Sequence, residues 1–145
     1  MRYNIILLLG VLTFSFVFCQ HQSKDQDKDI YFLMKELKIS EKGTNAIIVL
    51  PLDGCNGCVD KTLNFLDENI GNKRIAFIIT DNGTKKARLL HLYDREDEKI
   101  VLDSTARARK FGIVRFYPVL YHLNDGKSTS LELGGSIIDK ALSEL

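Results

Sequence analysis

Two cysteines, Cys55 and Cys58, are the residues of this sequence whose type and spacing best suit chemistry. They lie in segment 54–58, which reads GCNGC and follows a run of apolar residues. In the first turn of a helix such a C-x-x-C pair brings its sulfurs together, and the free N–H groups and dipole of the helix end favour a thiolate. The pKa of a thiol in such a site falls from about 8.5 to between roughly 3.5 and 7.5. Because the thiolate is the attacking form in thiol–disulfide exchange, Cys55 is the predicted nucleophile and Cys58 the predicted resolving thiol.

A strand and a helix are predicted on either side of the cysteines. Residues 46–52 (AIIVLPL) form an apolar run without alternation, which indicates a strand covered on both faces. After Cys58, an apolar stripe at helical spacing runs from Val59 to Ile70. Residues 75–80 (IAFIIT) then predict a second buried strand. The cysteines are therefore expected at the junction between a buried strand and the helix that follows it.

The remaining elements complete a single predicted domain over residues 30–145. They are an amphipathic helix at 30–37, a weakly amphipathic helix at 84–93, a strand at 100–102, a short helix from an N-cap at Ser104 to Lys110, a strand at 119–123, a hairpin turn at 124–127, a strand at 130–133 and a last helix at 136–145. Strands that alternate with helices, followed by a hairpin and a closing helix, predict an α/β fold with a central mixed β-sheet flanked by helices. A chain of 145 residues is long enough for one hydrophobic core and too short for two.

The N-terminus predicts export. Residues 1–4 form a short, positively charged segment, and residues 5–19 carry no charge. This uncharged run is shorter than the roughly 20 apolar residues that span a bilayer as a helix, so a secretory signal is favoured over an anchor. Residues 20–29 are polar, with alternating charges, and predict a tether between the signal and the domain.

The signal segment ends on Cys19 and shows no small-x-small cleavage site. A cysteine in that place resembles that of a bacterial lipoprotein signal, where it becomes the lipidated first residue of the mature protein. In that family the preceding residues are small, whereas Phe18 is bulky. Lipidation of Cys19, a retained membrane anchor and a signal cut elsewhere therefore stay open. In each case the domain is expected in the periplasm or tethered to the cell envelope, where its two cysteines suit a disulfide-forming pair.

The predicted order of elements resembles the thioredoxin superfamily over roughly residues 30–145. The order is strand, C-x-x-C, helix, strand, helix, short strand, proline, hairpin and helix. The exported redoxin and thiol:disulfide interchange branch is the most similar, through the segments 101–103 (VLD), 111–113 (FGI), Pro118, 119–121 (VLY) and 125–126 (DG).

This resemblance implies a thioredoxin-like fold and disulfide exchange with protein thiols or disulfides of the envelope, without a dissociable cofactor. It also implies that Pro118 is a cis-proline facing the cysteines. Tyr117 and Pro118 would line the groove in which the backbone of a partner docks.

The sequence departs from that family around the cysteines. The family usually carries Trp before the first cysteine, where this chain has Gly54 and no Trp anywhere. The acidic residue buried behind the cysteines of thioredoxin has no counterpart in segment 46–50. Asp53 is a candidate to take the proton of Cys58, but its negative charge could instead oppose a thiolate at Cys55.

Two other functions compete with exchange. One is a non-catalytic envelope protein in which Cys55 and Cys58 form a structural disulfide. The other is a metal-binding chaperone in which a histidine joins the two cysteines, although neither His91 nor His122 stands at the expected position, and no metal ligand is assigned.

The charge pattern argues against a nucleic-acid partner. The chain has a net charge of +1, from 20 basic and 19 acidic residues that are mixed along its length. Nucleic-acid binding usually needs a wider basic footprint than the stretch of Arg107, Arg109 and Lys110. We interpret that stretch as the solvated face of a helix.

Overall fold

The structure is a computed structural model that describes residues 23–81 and 99–145, with side chains from Asp29 onward. In chain order its elements are α1 (Ser23–Glu36), β1 (Ala46–Pro51), α2 (Asn56–Glu68), β2 (Ile75–Thr80), β3 (Ile100–Asp103), α3 (Arg107–Lys110), β4 (Val119–Asn124), β5 (Lys127–Glu132) and α4 (Ile137–Ser143). The predicted signal, Cys19 and the helix predicted at 84–93 lie outside the described residues. Among the helices that are described, none combines the length and the apolar character needed to cross a bilayer.

The five described strands form one mixed sheet in the order β3-β2-β1-β4-β5. Strand β1 lies at the centre, parallel to β2 and antiparallel to β4. Strand β3 is parallel to β2, and β5 is antiparallel to β4. The prediction of an α/β fold with a central mixed sheet flanked by helices is confirmed.

Both faces of the sheet are covered, which explains why β1 and β2 read as continuous apolar runs. Every residue of these two strands is buried. On β1, Ile48 and Leu50 pack in the cluster that includes residues of α2 and α4. Ile47 and Val49 alternate with them and pack in the cluster that includes residues of α1 and α3. Because full burial of such a side chain is worth about 1.5–3 kcal/mol, the central strand is a firm base for the turn that follows it.

Helix α1 begins at Ser23, seven residues before the predicted start at Ile30. The apolar residues that predicted the helix, Ile30, Leu33 and Met34, are fully buried against the sheet. Once such packing has nucleated a helix, each added residue costs little, so the helix extends into the preceding polar residues.

The start of α3 also differs from the prediction, because Ser104 is not its N-cap. The helix begins at Arg107, after Ala106 in a left-handed conformation with φ of 53°. The carboxylate of Asp103 accepts a hydrogen bond of 2.8 Å from the N–H of Ala108. Asp103 is only 1% exposed, so a buried carboxylate at the end of β3 accepts from the first turn of the helix in place of the Ser104 hydroxyl.

The hairpin predicted at residues 124–127 is present. Asn124 pairs with Lys127, and the two residues between them, Asp125 and Gly126, have φ of 46° and 77°. Positive φ at both central residues is typical of the type I′ turn, which matches the twist of the flanking strands. This tight turn lets β5 begin at Lys127 rather than at the predicted Ser130.

Candidate functional site

The two cysteines form a disulfide at the N-terminal end of α2. Their Cα atoms are 5.3 Å apart, and Cys55 is the N-cap residue of the helix. The carbonyl of Cys55 accepts a hydrogen bond of 2.8 Å from the N–H of Val59, which joins the residue to the first turn. Cys55 is half-buried, whereas Cys58 is only 6% exposed. Cys55 is therefore the more exposed of the two cysteines.

Strand β1 delivers the chain to the disulfide through a tight turn. The N–H of Leu52 donates to the carbonyl of Thr80 at 3.1 Å, so pairing with β2 continues just past the end of the strand. The N–H of Gly54 then donates to the carbonyl of Pro51 at 3.1 Å and closes the turn. Pro51 occupies the last strand position, where its missing N–H costs no ladder hydrogen bond. The disulfide thus lies at the carboxyl edge of the central strand.

The segment before β4 lies against this turn through a backbone contact that the sequence did not predict. The N–H of Cys55 donates to the carbonyl of Phe116 at 3.0 Å. A Cβ atom on Gly54 would overlap this carbonyl oxygen and would come within 3.1 Å of the ring of Pro51. Glycine is therefore the residue that the close approach allows at position 54. The only hint in the sequence is that Phe116 stands two residues before Pro118.

Two aromatic side chains lie beside this contact. Phe116 is 55% exposed and Tyr117 is 36% exposed, and their rings meet edge to face with centroids 5.1 Å apart. The ring of Tyr117 rests on Gly134, where an added Cβ would come within 3.1 Å of it. Tyr117 therefore directly follows the residue whose carbonyl binds Cys55, and its ring packs against the ring of that residue, Phe116.

The expectation that Pro118 is a cis-proline is wrong for this structure. No peptide bond among the described residues is cis, so the bond between Tyr117 and Pro118 is trans. Trans is the intrinsically favoured isomer of an X-Pro bond, by about 0.5–1 kcal/mol. Pro118 is buried, and its carbonyl accepts a hydrogen bond of 2.7 Å from the N–H of Leu133. It is the backbone of Phe116 that contacts Cys55.

The carboxylate of Asp53 is paired with a basic side chain. One terminal nitrogen of Arg109, on α3, forms an ion pair with Asp53. The other terminal nitrogen donates to the carbonyl of Arg115 at 2.6 Å. The interpretation of Arg109 as part of a solvated helix face is therefore wrong. Its guanidinium places a positive charge beside the Asp53 carboxylate, two residues before Cys55.

A buried acid lies at the same edge of the sheet. Asp81 directly follows β2 and is 2% exposed. Neither of its carboxylate oxygens has a hydrogen-bond partner in the described part of the chain. The resemblance places a buried acid on β1, whereas Asp81 follows the neighbouring strand β2.

The histidines do not join the cysteines where their positions are described. His122 pairs with Ala46 at the start of β1, and the cysteines follow the other end of that strand. At about 3.3 Å per residue, the strand separates the two sites by more than 15 Å. Within residues 29–81 and 99–145, no three His, Cys, Asp or Glu side chains lie together as a metal site would require. His91 lies outside the described residues.

Comparisons of this chain with protein-family models, with curated proteins and with solved structures find no match.

Proposed function

We propose that this protein is an exported thiol–disulfide exchange protein with a thioredoxin-like fold, acting through Cys55 and Cys58 on protein partners in the cell envelope. The observation that carries the proposal is the disulfide at the N-terminal end of α2, in which Cys55 is the more exposed of the two cysteines. At that position the helix end favours a thiolate when the disulfide is reduced.

The architecture supports the thioredoxin-like fold. A central strand that is parallel to one neighbour and antiparallel to the other leads into the cysteine pair. Helices cover both faces of the sheet, and the hairpin β4–β5 precedes the last helix. These elements occur in the order on which the resemblance to the thioredoxin superfamily rests, apart from the helix predicted at 84–93, which lies outside the described residues.

Exchange proceeds in two steps when the protein acts as a reductant. The thiolate of Cys55 attacks a disulfide of the partner, so that a bond forms between Cys55 and one partner sulfur and the other sulfur leaves as a thiolate, which takes up a proton. Cys58 then loses its proton and attacks the sulfur of Cys55, which releases the second partner thiolate. Two electrons pass to the partner, and the Cys55–Cys58 disulfide forms. The same steps in reverse oxidise a partner dithiol.

The partner docks across Phe116 and Tyr117 in this proposal. Both rings are exposed and lie next to the contact between Phe116 and Cys55. Aromatic side chains offer a large apolar area at low conformational cost, which suits a surface that must hold a peptide segment near the reacting sulfur. Pro118, predicted to share this role, is buried, and its carbonyl accepts a hydrogen bond from the N–H of Leu133.

The proposed location rests on the N-terminal sequence. Residues 1–19 carry the protein out of the cytoplasm, and Cys19 holds it on the membrane if it is lipidated. Labelling of the wild type and of Cys19→Ala with a radioactive fatty acid tests this, since only the wild type is expected to incorporate the label.

The competing function is a structural disulfide, and the burial of Cys58 favours it. A cysteine residue that is only 6% exposed is shielded from external thiols. In exchange proteins, however, the resolving cysteine needs to reach only its neighbour, so the same burial is compatible with catalysis.

The reduction potential of the pair separates the two functions. Equilibration in glutathione and dithiothreitol buffers, followed by alkylation and mass analysis, measures it. A reversible couple between roughly −120 and −270 mV is expected for an exchange protein, and a value below about −300 mV would indicate a structural disulfide.

Trapping provides an independent test. Cys58→Ala is expected to accumulate mixed disulfides with envelope proteins, because the resolving thiol is absent. The matched Cys55→Ala variant is expected to accumulate far fewer. If envelope extracts contained no mixed disulfide with either variant, the proposed exchange would be wrong.

A further inference from the structure

Arg109 connects the two segments that flank the disulfide. Its guanidinium pairs with Asp53, in the turn before Cys55, and donates to the carbonyl of Arg115, just before Phe116. The guanidinium side chain is 30% exposed and the Asp53 side chain 28%, so the pair is largely shielded from solvent. One side chain on α3 thus links the segment that carries the nucleophile to the segment that carries the exposed aromatic rings.

Asp53 is close enough to Cys55 for its charge to matter. Cα atoms two residues apart are separated by no more than about 7 Å. This is shorter than the screening length of about 8 Å at physiological ionic strength. An uncompensated unit charge about 7 Å from a thiol changes the pKa of that thiol by between about 0.5 and 1.7 units, for effective dielectric constants of 80 to 20.

Other charged groups lie on the elements around the disulfide. They are Asp60 and Lys61 on α2, Asp139 on α4, Arg115 before β4, and Asp81 and Asp103 at the ends of β2 and β3. Lys61 is paired with Asp139, and Asp103 accepts a hydrogen bond from the N–H of Ala108. Asp53 differs from all of these because it lies in the turn that leads to Cys55, where Arg109 of α3 pairs with it.

We propose that Arg109 is a positioning residue for the exchange reaction, which cancels the charge of Asp53 next to Cys55 and holds the Phe116 segment against the disulfide. The inference rests on the proposed exchange function. We therefore expect removal of Arg109 and removal of the Asp53 charge to shift the pKa of the Cys55 thiol in opposite directions. Without Arg109, the Asp53 carboxylate opposes the Cys55 thiolate. Without the Asp53 charge, the guanidinium favours it.

The test is a double-mutant cycle in the full 145-residue chain. The variants are Arg109→Gln, Asp53→Asn and the two combined. Arg107→Gln is the matched control, because Arg107 lies on the same helix but pairs with Glu36 at 3.7 Å. Each reduced protein is titrated by the pH dependence of its alkylation with iodoacetamide, and each couple is equilibrated with glutathione.

We expect Arg109→Gln and Asp53→Asn to shift the pKa of the Cys55 thiol in opposite directions. In Arg109→Gln, the pKa of the Cys55 thiol rises by at least about 0.5 unit, and the equilibrium with glutathione moves at least about threefold toward the disulfide. In Asp53→Asn, both quantities move the other way by a similar amount. The double variant returns to within about twofold of the wild type, and Arg107→Gln stays within that range throughout.

A fourth variant, Arg109→Lys, separates charge from positioning. Lysine keeps the charge but lacks the two forked nitrogens that reach Asp53 and the Arg115 carbonyl together. The pKa of Cys55 is expected to stay near that of the wild type, while the rate of reduction of a protein disulfide falls. A small disulfide such as oxidised glutathione is expected to react at the wild-type rate.

The outcomes distinguish this inference from the proposed function. If the wild type lacks a reversible couple in the range of exchange proteins, the proposed function fails. If that couple is present but Arg109→Gln and Asp53→Asn shift the pKa of the Cys55 thiol in the same direction, or by no more than Arg107→Gln does, the inference alone is overturned. Should Arg109→Gln fail to fold, the sign of the shift in Asp53→Asn and the two rates for Arg109→Lys decide the matter.

Discussion

Replacing Gly54 by alanine is expected to destabilise the protein through a single backbone contact. The added Cβ would overlap the carbonyl oxygen of Phe116, which accepts the hydrogen bond from the N–H of Cys55. The ring of Pro51 lies 3.1 Å from the same position and blocks movement to that side. The overlap can therefore be relieved only if the Phe116 segment moves away or the turn is distorted.

The cost follows from either relaxation. If the Phe116 segment moves, the hydrogen bond to Cys55 is lost, and a buried group left without its partner costs about 1–3 kcal/mol. If the segment stays, the forced packing costs about 1–3 kcal/mol. Because these are alternative ways to relieve one overlap, they do not add, and we expect Gly54→Ala to lower the free energy of unfolding by about 1–3 kcal/mol.

Gly57→Ala is a matched control two residues beyond Cys55. Gly57 lies in the first turn of α2 and has no atom within 4 Å of the position that a Cβ would take. In a helix, alanine is favoured over glycine by up to about 1 kcal/mol, so this variant should be as stable as the wild type or slightly more stable.

Guanidinium denaturation of the oxidised proteins, followed by circular dichroism, measures both variants. The midpoint should fall for Gly54→Ala and stay constant or rise for Gly57→Ala. Repeating the measurement on the reduced proteins checks that the difference comes from the overlap and not from the disulfide. Equal stability of the two variants would refute the close approach of Phe116 to residue 54.

Three further predictions concern other parts of the molecule. Burial, followed by the charges of Asp29 and Glu132, raises the pKa of Tyr121 to about 12 from 10.0, so the neutral phenol is favoured in the fold. The contribution of Tyr121 to the free energy of unfolding is therefore fully present below pH 10 and falls by about 2–3 kcal/mol between pH 10 and 12. Denaturation experiments over this pH range should show the fall for the wild type and not for Tyr121→Phe. Phe77→Ala should cost about 3–5 kcal/mol in the free energy of unfolding, because the ring is 1% exposed in the core cluster that includes residues of α2 and α4; a loss below 1 kcal/mol would contradict that packing. Phe116→Ala should slow reduction of a protein disulfide severalfold, because the exposed ring contributes contact area for the partner. The reduction potential should be unchanged, because the backbone carbonyl of residue 116 still accepts the hydrogen bond from Cys55. An unchanged rate would show that the partner docks elsewhere.

The elements nearest the cysteines were predictable from the sequence because their signals are local. The apolar runs of β1 and β2 specify buried strands, and the predicted bounds 75–80 of β2 agree with the structure. The hairpin turn was likewise predictable, since few residues other than Asp, Asn and Gly accept the positive φ that it needs. Helix starts were less predictable, because Ser104 and Asp103 are both capable caps and only the tertiary structure decides which carboxylate or hydroxyl reaches the amide.

The contacts around the disulfide were not predictable for the opposite reason. Asp53 and Arg109 are separated by 56 positions, and nothing in either segment marks the other as its partner. Phe116 contacts Cys55 through its backbone carbonyl, a group that every residue type carries. No pattern of residue types could therefore have indicated this contact. The cis-proline was inferred only from resemblance, and the intrinsic preference of the peptide bond points the other way.

The close approach of Phe116 also accounts for the main departure of this chain from the family that it resembles. That family usually places a tryptophan before the first cysteine, and here no side chain fits at Gly54 while the Phe116 carbonyl binds Cys55. The aromatic surface beside the nucleophile comes instead from Phe116 and Tyr117, on the segment that Arg109 holds in place. If the protein exchanges disulfides, this segment is therefore where its choice of partner is made, and changes in the rings should alter that choice without altering the redox couple.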